Sequence, residues 1–420
     1  MSTKRIAFFL VVSLTALSMS AQVTLEDCQR KAQANFPLVR QYDLIEKTKE
    51  YNLSNAAKGY LPQFALSAKA TYQSSVTELP VQIPGVDIKG LPKDQYQVML
   101  ELRQNIWDGG NIHSQKELVK AESDVDREKL NVDMYALNER VNQLYFGILL
   151  FDEQLKQNDL LQQDLELSFN QVSAYVENGI ANQADVDAVK VEQLNTKQKR
   201  IELAAARQAY LEMLSLFAGE QISPGTRLVK PDAADEPSTL DNNRPELLWF
   251  EVQNGRLQVR EEALRSCNMP SFGLFVQGAY GNPGLNMLKN EFTPYYIMGV
   301  RMAWNFGSLY TLKNDRRLID AGRRQLQSNR DVFLFNTRLQ ATQQNGAVWS
   351  MRKQMVDDEE IIRLRVNIRK AAEAKVANGM LTVTEMLREI TSENLARQTK
   401  ALHEIQLLMN IYQLKYTVNK

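Results

Sequence analysis

Proline is distributed very unevenly along this chain of 420 residues. No proline occurs between Pro92 and Pro224, and none occurs after Pro294. A proline in a helix interior costs about 3 kcal/mol, so long uninterrupted helices can form only in tracts without proline. The two proline-free tracts therefore predict helices much longer than the roughly 10–14 residues that are usual in globular proteins.

The pattern V-x-N-G occurs twice, as VENGIANQADV at 176–186 and as VANGMLTVTEM at 376–386. Asn-Gly suits the end of a helix, because glycine adopts the left-handed backbone conformation there without strain. Each copy separates a long helical pattern from a shorter one. We therefore predict two helical hairpins, with their turns at Asn178, Gly179, Asn378 and Gly379.

The predicted arms of these hairpins differ in length. A long arm of about 68 residues would measure about 100 Å, whereas a return arm of about 35 residues would cover only half of that. Two further helical patterns, at about 24–59 and 241–267, have suitable lengths to cover the other half. The sequence therefore predicts a cylinder of paired helices, with long arms at about 110–178 and 309–377 and return arms at about 182–217 and 383–417.

Four other segments alternate between apolar and polar residues, namely 61–72, 95–107, 269–280 and 295–306. Alternation alone fits a soluble antiparallel sheet with one wet face as well as a membrane strand. Aromatic residues at the segment ends favour the membrane strand, because they form girdles at the two membrane interfaces. The predicted girdle residues are Tyr72, Tyr96, Trp107, Tyr280, Tyr296 and Trp304, of which the two tryptophans equally suit packed positions where a strand becomes a helix.

The first 21 residues have a basic start, an apolar run and small residues at a cleavage zone, which is typical of a signal peptide. No later stretch reaches the roughly 18–20 apolar residues of a membrane helix, so membrane insertion requires a β-barrel. Four strands cannot close a barrel, and open edges in lipid would leave backbone groups unpaired. The predicted fold is therefore mainly α with a membrane β-barrel, to which symmetry-related copies each contribute four strands.

Composition excludes several classes of function. The chain has 50 basic and 50 acidic residues, so its net charge of zero argues against a nucleic-acid partner. Its two histidines, His113 and His403, have no neighbours at ligand spacing. We therefore expect neither a metal site nor a cofactor, and we expect that the protein is not an enzyme.

Several short motifs occur in two ordered sets along the chain. They are LPQF at 61–64 and MPSF at 269–272, NIWDGGN at 105–111 and WNFGS at 304–308, and the two Asn-Gly turns. With these motifs the mature chain resembles the outer membrane efflux protein family, the TolC-like channels. The resemblance implies a homotrimer in the outer membrane of a Gram-negative bacterium, with a shared 12-stranded β-barrel and a 12-helix periplasmic α-barrel.

The resemblance also implies a function and partners. The trimer would be the passive exit channel of a tripartite efflux or type I secretion system, in contact with outer-membrane lipid, a periplasmic adaptor protein and an inner-membrane pump of the RND, ABC or MFS type. The adaptor would engage the two Asn-Gly turns. A different hypothesis is a periplasmic coiled-coil scaffold or adaptor that conducts nothing, because its hairpins would bind a partner without enclosing a pore.

In relatives, acidic residues after the second turn surround a narrow periplasmic entrance. The aligned positions here are Glu385 and Arg388, and Arg388 departs from the acidic pattern. Glu389 is adjacent to Arg388, and Asp185 occupies the equivalent place after the first turn. An alternative role for Asp185 and Glu385 is favourable charge at a helix N-terminus. Gly109, Gly110 and Gly307 are predicted to redirect the chain where strands become helices.

The predicted organisation has four parts. A signal peptide at 1–21 precedes a first structural repeat at 22–218, an equatorial linker at 219–240 and a second repeat at 241–420. Each repeat would contain a helix, two barrel strands, a long helix and a return helix.

Overall fold

The structure is a computed structural model that describes residues 23–76, 91–233, 241–287 and 289–420. The expected signal peptide lies outside the described residues, as does the end of the expected linker at 234–240. The helices are α1 Leu25–Asn35, α2 Arg40–Ala57, α3 Asn111–Glu177, α4 Gln183–Ala218, α5 Pro245–Ser266, α6 Gly307–Ala377 and α7 Val383–Val418. The strands are β1 Gln63–Tyr72, β2 Asp94–Trp107, β3 Ser271–Asn282 and β4 Thr293–Ala303.

The predicted long helices are confirmed. The α3 helix has 67 residues and α6 has 71, and each is followed after a short turn by a helix of 36 residues. At 1.5 Å per residue, the two long helices each extend about 100 Å. Among the helices of the described ranges, none contains an apolar stretch long enough to cross a membrane.

The single helix predicted at about 24–59 is wrong in one respect, because it breaks at Phe36 and Pro37. The α1 helix ends at Asn35, and Phe36 has an extended backbone with φ −63° and ψ 135°. Proline has no N–H to donate and disfavours a helical backbone at the residue before it. A short 3-10 turn at Pro37–Val39 then leads into α2.

The four strands form one antiparallel sheet in the order β1-β2-β3-β4. Register pairs such as Ala68 with Val98 and Leu274 with Val300 place the apolar residues of neighbouring strands on one face. The polar residues share the other face, as the alternation predicted. Strands β1 and β4 are the edges of the sheet.

The chain divides into two compact units. The hairpin unit comprises residues 1–39, 132–244 and 333–420, and the strand unit comprises residues 40–131 and 245–332. Each unit contains segments of both predicted repeats. The repeat and linker boundaries themselves stay a prediction.

The core of the hairpin unit is built around Tyr145 of α3. This side chain is fully buried, and its hydroxyl donates towards the carbonyl oxygens of Val23 and Val229, at 2.8 and 2.6 Å. Those two carbonyls flank a parallel bridge between Val23 and Leu228. One phenol thus joins the long helix to the start of the described chain and to the segment after α4.

Candidate functional site

The two hairpin turns have the same backbone geometry. Gly179 and Gly379 have left-handed φ values of 72° and 66°. In both turns, the residue after the glycine donates its N–H to the carbonyl five residues earlier, at 2.8 and 2.9 Å, and the asparagine side chain donates to the carbonyl four residues earlier, at 2.7 Å. A Cβ at either glycine would meet nothing within 4 Å, so the left-handed conformation alone requires glycine here.

Both turns lead into helices that begin with a capping box. At the start of α4, Asn182 and Asp185 exchange hydrogen bonds between backbone and side chain, at 3.0 and 3.2 Å. Thr382 and Glu385 do the same at the start of α7, and the Thr382 hydroxyl also donates to the carboxylate at 2.8 Å. The backbone N–H of Thr382, followed by its hydroxyl, lowers the pKa of Glu385. Asp185 and Glu385, two of the three predicted entrance carboxylates, are therefore helix caps.

A groove of about 370 Å³ lies between the two turns within the hairpin unit. Its wall includes the side chains that follow the two glycines, Ile180 and Met380, and both are exposed. Its lining combines apolar surface with the two capping carboxylates, and comprises Tyr175, Ile180, Ala181, Asn182, Asp185, Val376, Gly379, Met380, Leu381, Thr382, Val383 and Glu385.

The other two predicted entrance residues lie further along α7. Arg388 is exposed, whereas Glu389 accepts a hydrogen bond from Arg365 of α6 at 3.4 Å. The four predicted entrance residues thus have three different environments: two caps, one ion pair and one exposed cation.

Sequence reasoning missed an ion network centred on Glu393 of α7. This carboxylate is 5 % exposed, and it accepts hydrogen bonds from Arg369 at 2.7 Å and from Arg397 at 2.9 and 2.7 Å. Burial opposes the charge of Arg369, but Glu393 and Glu373 outweigh it, so the pKa of Arg369 is raised. The sequence did contain a signal for this network. Arg365 and Arg369 are four residues apart on one helix, and Glu389 and Glu393 have the same spacing on the next.

The apolar face of the sheet is exposed to solvent in this single chain. Its exposed members come from all four strands and include Phe64, Leu66, Val98, Leu100, Leu274, Val276, Met298, Val300 and Met302. A contiguous exposed apolar surface of this kind indicates contact with a partner or with lipid.

Aromatic side chains lie near both ends of this apolar face. At the N-terminal end of β2, Phe292 stacks against Tyr96 and Tyr280, with ring centroids 6.3 and 5.7 Å apart. Eleven residues separate Tyr96 from Trp107, which is about 36 Å along a strand and about 25–30 Å across a membrane when the strand is tilted by 35–45°. Phe292 was not among the predicted girdle residues. It directly precedes β4, and this position at the end of a strand was the sequence signal that could have identified it.

A β-bulge determines the position of Trp107. Strict alternation would place the even-numbered residues of β2 on the apolar face, but the register shifts between Asn105 and Trp107. Trp107 consequently lies opposite Phe272, with ring centroids 5.8 Å apart. Trp304 near the end of β4 donates its indole N–H to the carbonyl of Asn268 at 3.1 Å. Both tryptophans therefore lie where strands meet helices. Tyr72 and Tyr296 are exposed strand residues of the apolar face.

The predicted junction glycines differ from one another. Gly109 and Gly110 have φ values of 71° and 87°, and a Cβ on Gly109 would lie 2.7 Å from the Cβ of Met269. Asp108 caps α3 by accepting from the N–H groups of Gly110 and Ile112 at 3.0 and 2.6 Å. Gly307 is the first residue of α6, and its N–H donates to the Asn305 side chain at 3.0 Å. Within the described residues, no group of three or more metal-ligating side chains could hold an ion.

Long helical hairpins joined to a small antiparallel sheet with one exposed apolar face define a class of outer-membrane channel. The chain matches solved structures of that class with low sequence identity. For CusC, a protein described as forming a transmembrane channel, the identity is 14 %, the TM-score is 0.69, and the match covers 94 % of this chain and 91 % of CusC. For the outer membrane protein VceC of Vibrio cholerae these values are 11 %, 0.65, 94 % and 94 %. For the open state of the outer membrane channel MtrE of Neisseria gonorrhoeae they are 14 %, 0.65, 94 % and 88 %.

The model of the outer membrane efflux protein family matches residues 29–220. No curated protein matches the chain in sequence. Over residues 29–220 the chain is thus similar to the outer membrane efflux protein family, whose members are TolC-like channels of the Gram-negative outer membrane with a periplasmic extension, and not enzymes. The channel function is thus favoured over the hypothesis of a scaffold without a pore. Members of the family typically form trimers in tripartite efflux systems.

Proposed function

We propose that three copies of this chain form a passive exit duct, in which their strands close one 12-stranded barrel in the outer membrane and their helices form a periplasmic tunnel. The observation that carries this proposal is the open sheet, which has an exposed apolar face, a polar face and, within the described part of the chain, two edges without a neighbouring strand. Three sheets joined edge to edge would pair those edges, as hydrocarbon requires. Their apolar faces would contact lipid, and their polar faces would line water.

The surface of α6 supports assembly of several copies. Phe335, Leu339, Trp349 and Val356 follow heptad spacing and are between 54 and 72 % exposed. Such a seam is normally buried against another helix. Gly346 lies on the same seam with nothing near its Cβ position, which leaves room for a close approach. A helix of a second copy is the occupant that this spacing fits.

The groove between the hairpin turns would bind a periplasmic adaptor, which in turn would connect the duct to an inner-membrane pump of the RND, ABC or MFS type. Exposed apolar side chains flanked by helix-capping carboxylates form a surface that could bind the tip of another helical hairpin. Asp185, Glu385 and Glu389, with Arg388 as a cation among them, would surround the periplasmic entrance in three copies. Replacement of Ile180 and Met380 by glutamate should abolish adaptor binding with the helix content unchanged; normal binding would place the contact elsewhere.

The barrel proposal is tested by the same substitution on the two faces of the sheet. Met298→Lys places a charge in the middle of the apolar face, which costs about 2–4 kcal/mol in lipid. Met99→Lys places the same charge on the polar face, where register pairs it with Ala279. We expect Met298→Lys to abolish insertion and conductance in planar bilayers, whereas Met99→Lys retains both. Equal behaviour of the two variants, or the absence of conductance in the unmodified protein, would contradict the proposal.

A further inference from the structure

The polar face of the sheet carries an unequal set of charges. The four strands contain five charged residues, and one of them, Asp94, lies opposite Tyr72 at an end of the apolar face. The remaining four lie on the polar face, and they are three cations and one carboxylate, Lys69, Arg103, Arg301 and Glu101. Three positive charges less one negative charge leave a net charge of +2 on this face of each chain.

The one carboxylate of this face is already neutralised and covered. Glu101 accepts hydrogen bonds from Arg103 at 2.6 Å and from Gln277 at 3.1 Å. Its side chain is 9 % exposed, whereas that of Arg103 is 57 % exposed. Lys69 and Arg301 are also exposed. A solute in front of this face would therefore meet cations, and the opposing charge lies behind them.

Two of the three cations occupy neighbouring rows of the sheet, and the third lies further along the face. Arg103 lies opposite Phe275, and the next row on that side pairs Arg301 with Gly273. Because Gly273 has no side chain, Arg301 has no cross-strand side chain to cover it from β3. Lys69 pairs with Gln97 further along the same face. The positive charge is thus spread along the face instead of being confined to one ion pair.

We infer that the outer part of the duct favours anionic solutes. The inference rests on the proposed function, in which this face lines a water-filled bore. Three copies would place a net +6 around a narrow, low-dielectric wall, which focuses the field on the solute and raises the local concentration of anions. Screening at physiological ionic strength acts over about 8 Å, so the field persists close to the wall. The acidic residues at the hairpin turns have the opposite sign, so selectivity has to be measured locally at the strands.

The test uses nitroxide spin labels on the two faces of β1 in liposomes. Cys267 is exposed and Cys28 is buried, so Cys267→Ser leaves an introduced cysteine as the reactive thiol. Ser67→Cys carries the label on the polar face, and Ala68→Cys carries it on the apolar face. Collision rates are measured with the trivalent anion chromium oxalate, with the neutral nickel chelate NiEDDA and with oxygen.

At position 67, we expect the ratio of anion to neutral collisions to exceed that of a free label at least about threefold. The ratio should return to the value of the free label in Lys69→Gln/Arg301→Gln, which keeps the Glu101–Arg103 pair intact, and in 1 M salt. The inference is overturned if the collision ratio at position 67 is not raised, or if the double substitution leaves a raised ratio unchanged. A label at position 68 that collides with NiEDDA as freely as the label at 67 overturns the proposed membrane placement of the sheet itself.

Discussion

The two hairpins have the same plan at a constant shift of 200 residues, but different chemistry between their arms. Besides matching turns, both contain one cross-hairpin ion pair at matching positions. Arg200 pairs with Asp159 at 2.8 Å in the first hairpin, and Lys400 pairs with Glu359 in the second. Backbone geometry and one surface contact are therefore common to both hairpins.

A clear difference lies about three to four helical turns from the tips. In the first hairpin, Leu165 and Val189 are fully buried members of one apolar cluster. The residues at the matching positions of the second hairpin are Arg365 and Glu389, which form an ion pair. One pair of backbone positions thus accommodates either an apolar contact or two opposite charges.

Position 193 differs from its counterpart in the same way. Gln193 is buried, and its side-chain N–H donates to the carbonyl of Leu165 at 3.2 Å. Glu393 instead accepts hydrogen bonds from Arg369 and Arg397. An apolar contact between arms depends little on salt or pH, but an ion network depends on both. The comparison teaches that one repeated backbone can carry an apolar contact at one pair of positions in the first hairpin and an ionisation-dependent ion pair at the matching positions of the second.

The largest expected difference between the hairpins comes from truncation at the first of these positions. Leu165→Ala removes a fully buried side chain and should lower the free energy of unfolding by about 2–5 kcal/mol. Arg365→Ala removes a side chain that is 43 % exposed, and should cost less than about 1 kcal/mol. Denaturant unfolding followed by helical circular dichroism measures both. Equal costs would show that the two hairpins are held together in the same way.

The next expected effect is that of Glu393→Gln, which gives the second hairpin the residue type of Gln193. The substitution leaves two partly buried arginines without their shared carboxylate, and should cost about 2–3 kcal/mol. Glu373→Gln is the matched control, because Glu373 also contacts Arg369 but is 30 % exposed, and it should cost less than about 1 kcal/mol. If Glu373→Gln lowered the free energy of unfolding as much as Glu393→Gln, burial of the Glu393 carboxylate would not explain its contribution to stability.

The smallest expected effect concerns the cap of the second hairpin. The pKa of Glu385 is lower than the ordinary value of 4.5, so ionisation stabilises the cap above that value, and the stabilisation is lost as the pH falls through the lowered pKa. Amide exchange of the peptide around Thr382, corrected for intrinsic rates, should therefore accelerate between about pH 5 and pH 3. Glu385→Gln should show the faster exchange already at neutral pH. If the corrected exchange rate of the unmodified protein did not change between about pH 5 and pH 3, the Glu385 carboxylate would not stabilise the cap.

Features set by neighbouring residues in the chain could be predicted from the sequence. The left-handed glycines of the turns, the length of α3 and α6 and the alternation of the strands depend on local preferences and periodicity. The break at Pro37 is also local, and attention to that proline would have found it.

Features that depend on residues distant in the chain could not be predicted. The bulge that moves Trp107 arises from pairing with β3, about 165 residues later. The stacking of Phe292 on Tyr96 and the burial of Glu393 likewise depend on which elements meet. Periodicity identifies an apolar or polar position, but it does not say which distant residue lies against it.

The unpaired edges of β1 and β4 also have a kinetic consequence for the proposed duct. A copy that left a closed ring within the bilayer would expose rows of N–H and C=O groups to hydrocarbon, at several kcal/mol for each group. Escape through that state would be extremely slow, so subunits would not exchange between finished ducts. A damaged copy would remain in its ring until the whole assembly was degraded.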